Sequence, residues 1–210
     1  MGWPTTFVRI AGCPLRCSWC DTAWALSAKA GVPTPIPDIV GAVKEFGLKR
    51  VCITGGEPLA HQKTPDLVMA LLDAGCTDIV IETSGAFPLL EVPSQVSYVM
   101  DWKCPTSGES HRNHPPNIEQ LRPQDEVKFV IAEESDFLWA IDQLDVLGLP
   151  ARCSVLFSAV ASIAHDAPGG PGQATLGHDQ LATWILQHGI PVRQQLQFHK
   201  VLWPEQQRGV

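Results

Sequence analysis

The stretch Arg50-Val51-Cys52-Ile53-Thr54-Gly55-Gly56-Glu57-Pro58 is followed by an amphipathic segment over 66–74, closed by Gly75, and then by Asp78-Ile79-Val80-Ile81-Glu82. Two short β-branched runs separated by a helical period with a glycine stop make a strand–helix–strand unit. The same pattern extends in both directions. Strands are predicted at 6–10, 50–54, 78–82, 97–101, 126–132, 153–157 and 192–198. A helix over 38–46 puts Ile39, Val40, Val43 and Phe46 on one face before Gly47, and helices over 133–147 and 178–187 end at Gly148 and Gly189. Alternation of this kind gives an α/β fold with a parallel sheet covered by helices, open or curled into a barrel. Two stretches rich in Gly, Pro and Ser, 105–116 and 161–177, read as loops.

Composition narrows the function classes. With 45% hydrophobic and 18% charged residues in a chain of 210, a full core can form and disorder is excluded. A formal net charge of −7 opposes standing attraction to nucleic acid. No apolar run approaches the roughly 18 to 20 residues of a membrane helix, and no export signal is evident, so a cytoplasmic protein is expected. Seven cysteines, an odd number, do not suit a disulfide framework.

Three of these cysteines fall in Gly12-Cys13-Pro14-Leu15-Arg16-Cys17-Ser18-Trp19-Cys20-Asp21-Thr22, directly after the first predicted strand. Thiolates at C-x3-C-x2-C spacing are soft ligands, suited to iron–sulfur or zinc. Zinc would take His or Asp21 as a fourth ligand and make the chain a non-enzymatic, zinc-stabilised module. A four-iron cluster on three cysteines instead leaves one iron open for chemistry. Cys52, Cys76, Cys104 and Cys153 read as small buried hydrophobes. At the second strand end, paired glycines let a ligand touch the backbone, and Glu57 offers a carboxylate to an ammonium group.

The cysteine loop combined with Thr54-Gly55-Gly56-Glu57-Pro58 resembles the radical S-adenosylmethionine (SAM) superfamily. The resemblance implies a 4Fe-4S cluster on Cys13, Cys17 and Cys20, SAM on the open iron, and a SAM site lined by Gly55, Gly56 and Glu57. Such sites yield a 5′-deoxyadenosyl radical that abstracts a substrate hydrogen. Phe7-Val8-Arg9, Cys20-Asp21-Thr22, Glu82-Thr83-Ser84-Gly85, Asp101-Trp102-Lys103-Cys104-Pro105, Asp125-Glu126-Val127-Lys128-Phe129 and Gln195-Leu196-Gln197-Phe198-His199-Lys200 occur in that order. Together they resemble the 7-carboxy-7-deazaguanine synthase family of queuosine and 7-deazapurine biosynthesis. Membership would imply one radical SAM domain over 1–210, folded as an incomplete TIM-like barrel and assembled as a homodimer. It would also imply ring contraction of 6-carboxy-5,6,7,8-tetrahydropterin with loss of ammonia, assisted by Mg2+ and fed by a flavodoxin or ferredoxin. By the same resemblance Arg9, Glu82 and His199 bind the pterin, Thr22 approaches Mg2+, and Ser84, Lys103 and Ser158 contact SAM. A small activase of a glycyl-radical enzyme shares the cysteine pattern, and should lack Glu82 and His199.

Side-chain chemistry agrees with these roles while leaving plainer ones open. The forked donors of Arg9 suit a carboxylate, and would equally serve a surface ion pair. Glu82 suits ring N–H groups or water, and Thr22 a hard Mg2+ ion or a helix cap. His199 is expected to end the last strand. Nearly all candidates fall at C-terminal strand ends, where barrel-like α/β enzymes build their sites. Three departures stand out. The family begins with a further strand and a Gln-Gly-Glu turn, whereas Phe7 here lies six residues after Met1. The coding sequence is therefore expected to extend upstream, leaving the first strand as an unpaired edge without it. Ala159 stands where relatives often have Pro, and the tail 203–210 is long for a terminal carboxylate to enter the site.

Overall fold

The computed structural model describes residues 2–160 and 175–203. Its seven strands are β1 (Thr6–Ile10), β2 (Arg50–Gly55), β3 (Asp78–Thr83), β4 (Val96–Asp101), β5 (Glu126–Ile131), β6 (Ser154–Ala159) and β7 (Arg193–Gln195). They form one sheet in the order β1-β2-β3-β4-β5-β6-β7, and every neighbouring pair is parallel. Sheet order thus equals chain order, so every crossover steps the same way. Right-handed crossovers that never reverse direction place their helices on one face, which decides between the open and curled alternatives. A sheet clothed on one face only must curl its other face inward. Among the described residues β1 and β7 do not pair, so the barrel is incomplete.

The helix-covered face carries the core. Val51, Ile53, Ile79, Ile81, Met100, Val127, Phe129 and Phe157 pack against side chains from four helices. These are α1 (Ile36–Glu45), α2 (Thr64–Asp73), α4 (Glu134–Val146) and α5 (His178–His188), with the short α3 (Asn117–Gln120) in the β4–β5 connection. Strand registers put the intervening residues on the concave face: Arg9 beside Thr54, Glu82 beside Val99, Asp101 beside Lys128, and Ser158 beside Gln195. Val80, Val99 and Leu156 form a small apolar patch there. Strands buried on one face and half-polar on the other explain why Glu126, Lys128 and Val130 alternate with Val127, Phe129 and Ile131.

Element boundaries match the sequence reading closely except at the end. The last strand stops at Gln195, where its ladder to β6 ends, and a five-residue helix, α6 (Phe198–Leu202), follows. His199 is therefore helical and does not end a strand. The 105–116 segment is not a bare loop, because Pro105–Ser107 and Ser110–Arg112 form 3-10 turns. Most of the other predicted loop, 161–174, and the tail 204–210 lie outside the described residues. On β1, Phe7 is 52% exposed at the sheet edge.

Phe137 of α4 is fully buried and contacts Phe157 edge-on at 5.9 Å and Trp184 at 5.3 Å between ring centroids. Phe137→Ala is expected to lower stability by about 3–5 kcal/mol in urea unfolding, and a loss below about 1 kcal/mol would contradict this packing.

Candidate active site

The cysteine loop leaves β1 through Gly12, whose φ of +103° a side chain would not tolerate. Gly12 and Cys13 donate their N–H groups to the carbonyls of Ala25 and Leu26 at 2.8 and 3.0 Å, folding the loop back on itself. Leu15 and Trp19 point inward and pack with Cys17 and Val160, and Cys13 and Cys20 flank the same cluster. From below, the β4–β5 connection grips the loop. Ser18 N–H donates to Ser107 O at 3.0 Å, Ser18 Oγ to Thr106 O at 2.6 Å, and Arg16 N–H to Glu109 Oε1 at 2.7 Å. Thr106 is itself fixed by the buried Asp136 at the start of α4.

All three thiols are free. Burial pushes each upward, Cys20 to about 11, so the thiolates need a cation to form. Among the described residues no three His, Cys, Asp or Glu side chains converge on one point suited to a single ion. A multi-iron cluster does not require that, since each thiolate takes a different metal atom. Three free, adjacent, partly buried sulfurs therefore fit such a cluster.

The Gly-Gly-Glu segment is fastened directly to this loop. Gly56 N–H donates to Ile10 O at 2.7 Å and Glu57 N–H to Gly12 O at 2.9 Å. A Cβ on Gly55 would overlap the Ile10 backbone, and one on Gly56 the Gly12 carbonyl. The room left by the missing side chains is thus filled by neighbouring chain, so both glycines serve the close approach of the β1 and β2 ends. Glu57 is fully buried. Its carboxylate accepts from Thr83 Oγ1 at 2.7 Å, Leu59 N at 2.8 Å and Ser84 N at 2.6 Å, which fixes the end of β3 and positions Ser84. Those donors occupy three of the four or so acceptor positions of a carboxylate.

A charged row crosses the concave floor. Asp101 is flanked by Lys103 Nζ at 2.6 Å and Lys128 Nζ at 3.0 Å. Burial opposes the charge of Asp101, but the two ammonium groups outweigh it and hold the carboxyl below its ordinary range. Burial likewise pulls both lysines down, while Asp101, aided by Cys17 for Lys103 and by Glu82 for Lys128, leaves them raised and protonated. Lys103 Nζ also lies 5.3 Å from the Trp19 ring, against the cysteine loop. Lys103 is therefore not solvated. Asp101 and Lys128 carry no role in the sequence reading beyond their motifs, although the Glu126-x-Lys128 alternation in an apolar strand is the signal of an inward charged face.

Toward the β1 side, Thr54 Oγ1 donates to Glu82 Oε2 at 3.3 Å. Arg9 stacks over Trp24 at 5.4 Å and donates to Gly55 O at 3.4 Å; its contacts are an aromatic face and a carbonyl, not the surface carboxylate considered above. Thr22 makes no side-chain cap and donates to Asp21 Oδ1 at 2.9 Å. His199 is half-buried; burial and Lys200 lower its pKa, so its imidazole is neutral at pH 7. Ser158 is buried on the concave face of β6. A cavity of about 360 Å3 opens at the opposite strand ends, around Arg152, Cys153 and Arg193, and no candidate residue lines it.

A family model for the radical SAM superfamily matches residues 7–96, from β1 through the cysteine loop to the start of β4. The 7-carboxy-7-deazaguanine synthase of Chlorobaculum tepidum is 36% identical over 212 residues, covering 100% of this chain and 90% of that protein. The enzyme of the same name from Koribacter versatilis is 37% identical over 215 residues, covering 100% and 92%. Among solved structures, QueE from Escherichia coli superposes with a TM-score of 0.56 at 20% identity, over 92% of this chain and 86% of that one. Streptococcus suis SuiB bound to S-adenosylmethionine gives 0.60 at 12% identity, over 96% and 52%. The two structures speak for the fold alone.

Asp101→Ala would strand two ammonium groups that are 8% and 17% exposed. A destabilisation of about 3–5 kcal/mol is expected in denaturant titration, against a smaller one for Asp101→Asn, and equal stability of wild type and alanine variant would refute the shared ion pair.

Proposed function

The chain belongs to the 7-carboxy-7-deazaguanine synthase family of the radical SAM superfamily, and on that premise we propose that it converts 6-carboxy-5,6,7,8-tetrahydropterin into 7-carboxy-7-deazaguanine and ammonia. The observation that carries this reading is similarity at 36% and 37% identity over the whole chain. Full-length relatives of one name leave no separate support for the zinc module or the glycyl-radical activase. When bound, the reduced cluster and SAM supply a 5′-deoxyadenosyl radical that takes a hydrogen atom from the substrate.

The chain's own residues divide the remaining work. Cys13, Cys17 and Cys20 would hold the cluster, and the Gly55–Glu57 segment, Ser84, Lys103 and Ser158 the SAM. Arg9 and Glu82 lie in one cross-strand row of the concave face, two strands apart with Thr54 between them. Two strand spacings amount to about 10 Å, comparable to a fused bicyclic ring bearing a carboxylate. Arg9 would bind that carboxylate through its forked donors, and Glu82 would accept from N–H groups at the far end of the ring. His199, neutral and half-buried, can donate or accept at the pterin edge. The Thr22 hydroxyl is a hard donor for Mg2+, which would offset the negative charge of the substrate carboxylate. Trp24 stacks against the Arg9 guanidinium and would restrict its motion.

Supporting a single domain, all seven described strands share one sheet. No helix among the described residues is long and apolar enough to cross a membrane. A homodimer in the cytoplasm, reduced by a flavodoxin or ferredoxin, completes the proposal.

Anaerobic reconstitution with iron and sulfide, then incubation with the pterin, SAM, Mg2+ and reductant, tests it. A deazapurine acid and ammonia should form in equal amounts, with 5′-deoxyadenosine far below one equivalent per turnover. Cys17→Ala should lose most of its iron and its activity. Stoichiometric 5′-deoxyadenosine without deazaguanine would overturn the assignment.

A further inference from the structure

Beyond β7 the chain turns to the side of the sheet that β1 and β7 leave open. There Gln197 Nε2 and Lys200 Nζ reach the same oxygen, Asp21 Oδ2, at 2.8 and 3.2 Å, while Thr22 Oγ1 donates to Asp21 Oδ1 at 2.9 Å. The two former contacts join residues 176 and 179 positions apart. They bind the last described helix to the residue that follows the third cysteine.

Helix α6 is five residues long and has no buried residue, and Phe198, Val201 and Leu202 are exposed. A helix this short is not stable by itself, so tertiary contacts must set its position. His199 lies on it, between the two side chains that reach Asp21.

We propose that Asp21, Gln197 and Lys200 form a latch that holds α6 across the open side of the barrel and so positions His199 at the substrate. They are positioning residues for substrate binding, separate from the cluster and SAM contacts. The role rests on the reading that His199 meets the pterin. The Asp21 and Lys200 side chains are 38% and 32% exposed, and ion pairs that open to water are weak, so the latch can release and re-form as substrate enters and product leaves.

Lys200→Met and Lys200→Arg, with the cysteine loop untouched, test this in the reconstituted enzyme. Lys200→Met should raise KM for the pterin about tenfold with kcat within about twofold, and Lys200→Arg should restore KM to within about twofold of wild type. Hydrogen exchange of the amides in 197–203 should accelerate about tenfold in Lys200→Met without substrate, while iron content stays at the wild-type level. An unchanged KM, an unchanged exchange rate in that segment, or a failure of Lys200→Arg to restore either would overturn the latch. If the wild-type enzyme does not consume the pterin, the proposed reaction falls, and the exchange comparison still decides the latch.

Discussion

Everything at the active end depends on one backbone contact. The end of β2 lies so close to the end of β1 that no side chain fits between them, and Gly56 and Glu57 donate to Ile10 and Gly12 across the gap. The contact fixes the exit angle of the cysteine loop. It also buries Glu57, whose carboxylate then captures the end of β3 through Thr83 and Ser84. Three consecutive strand ends are thereby locked to each other before any cofactor arrives. Rigid support of this kind keeps flexible loops at the geometry that radical chemistry needs.

The second requirement is charge balance. A curled sheet with helices on one side has a concave face remote from bulk water, and carboxylates or ammonium groups there must be paired. Asp101 between Lys103 and Lys128 meets that demand and leaves one net positive charge beside the cysteine loop. Glu82 on the neighbouring β3 continues the row toward β1, next to Thr54 and near Lys128. The floor thus sets the anionic Glu82, suited to ring N–H groups, between Arg9 on one side and the cationic Lys103–Lys128 end on the other, which suits an anionic cluster.

Strand positions were legible because both faces constrain them: an apolar face for the helices, and small or charged residues at period two for the interior. The cysteine loop and the Gly-Gly-Glu segment were legible as chemistry, since few structural needs explain them. The docking role of the glycines was not, because the close approach of a neighbouring strand leaves no local trace in sequence and shows only in three-dimensional contact. The 192–198 run has strand-forming composition, yet pairing stops at Gln195, and contacts to Asp21, 176 residues away from Gln197, coincide with a helix instead. Partnerships at such separations leave no local trace. The pairing of Asp101 with Lys128 is hidden for the same reason, since it exists only when β4 and β5 lie side by side.

Electron paramagnetic resonance of the reduced, reconstituted cluster, recorded with and without SAM, tests the dependence on that first contact most directly. In the wild type the signal should change on adding SAM, as the open iron gains ligands. In Gly56→Ala, whose added methyl group must push the Gly-Gly-Glu segment off the Gly12 carbonyl, the SAM-induced change should be largely lost while circular dichroism shows the sheet and helices retained. A Gly56→Ala protein with the full wild-type response to SAM would show that the site does not depend on this docking.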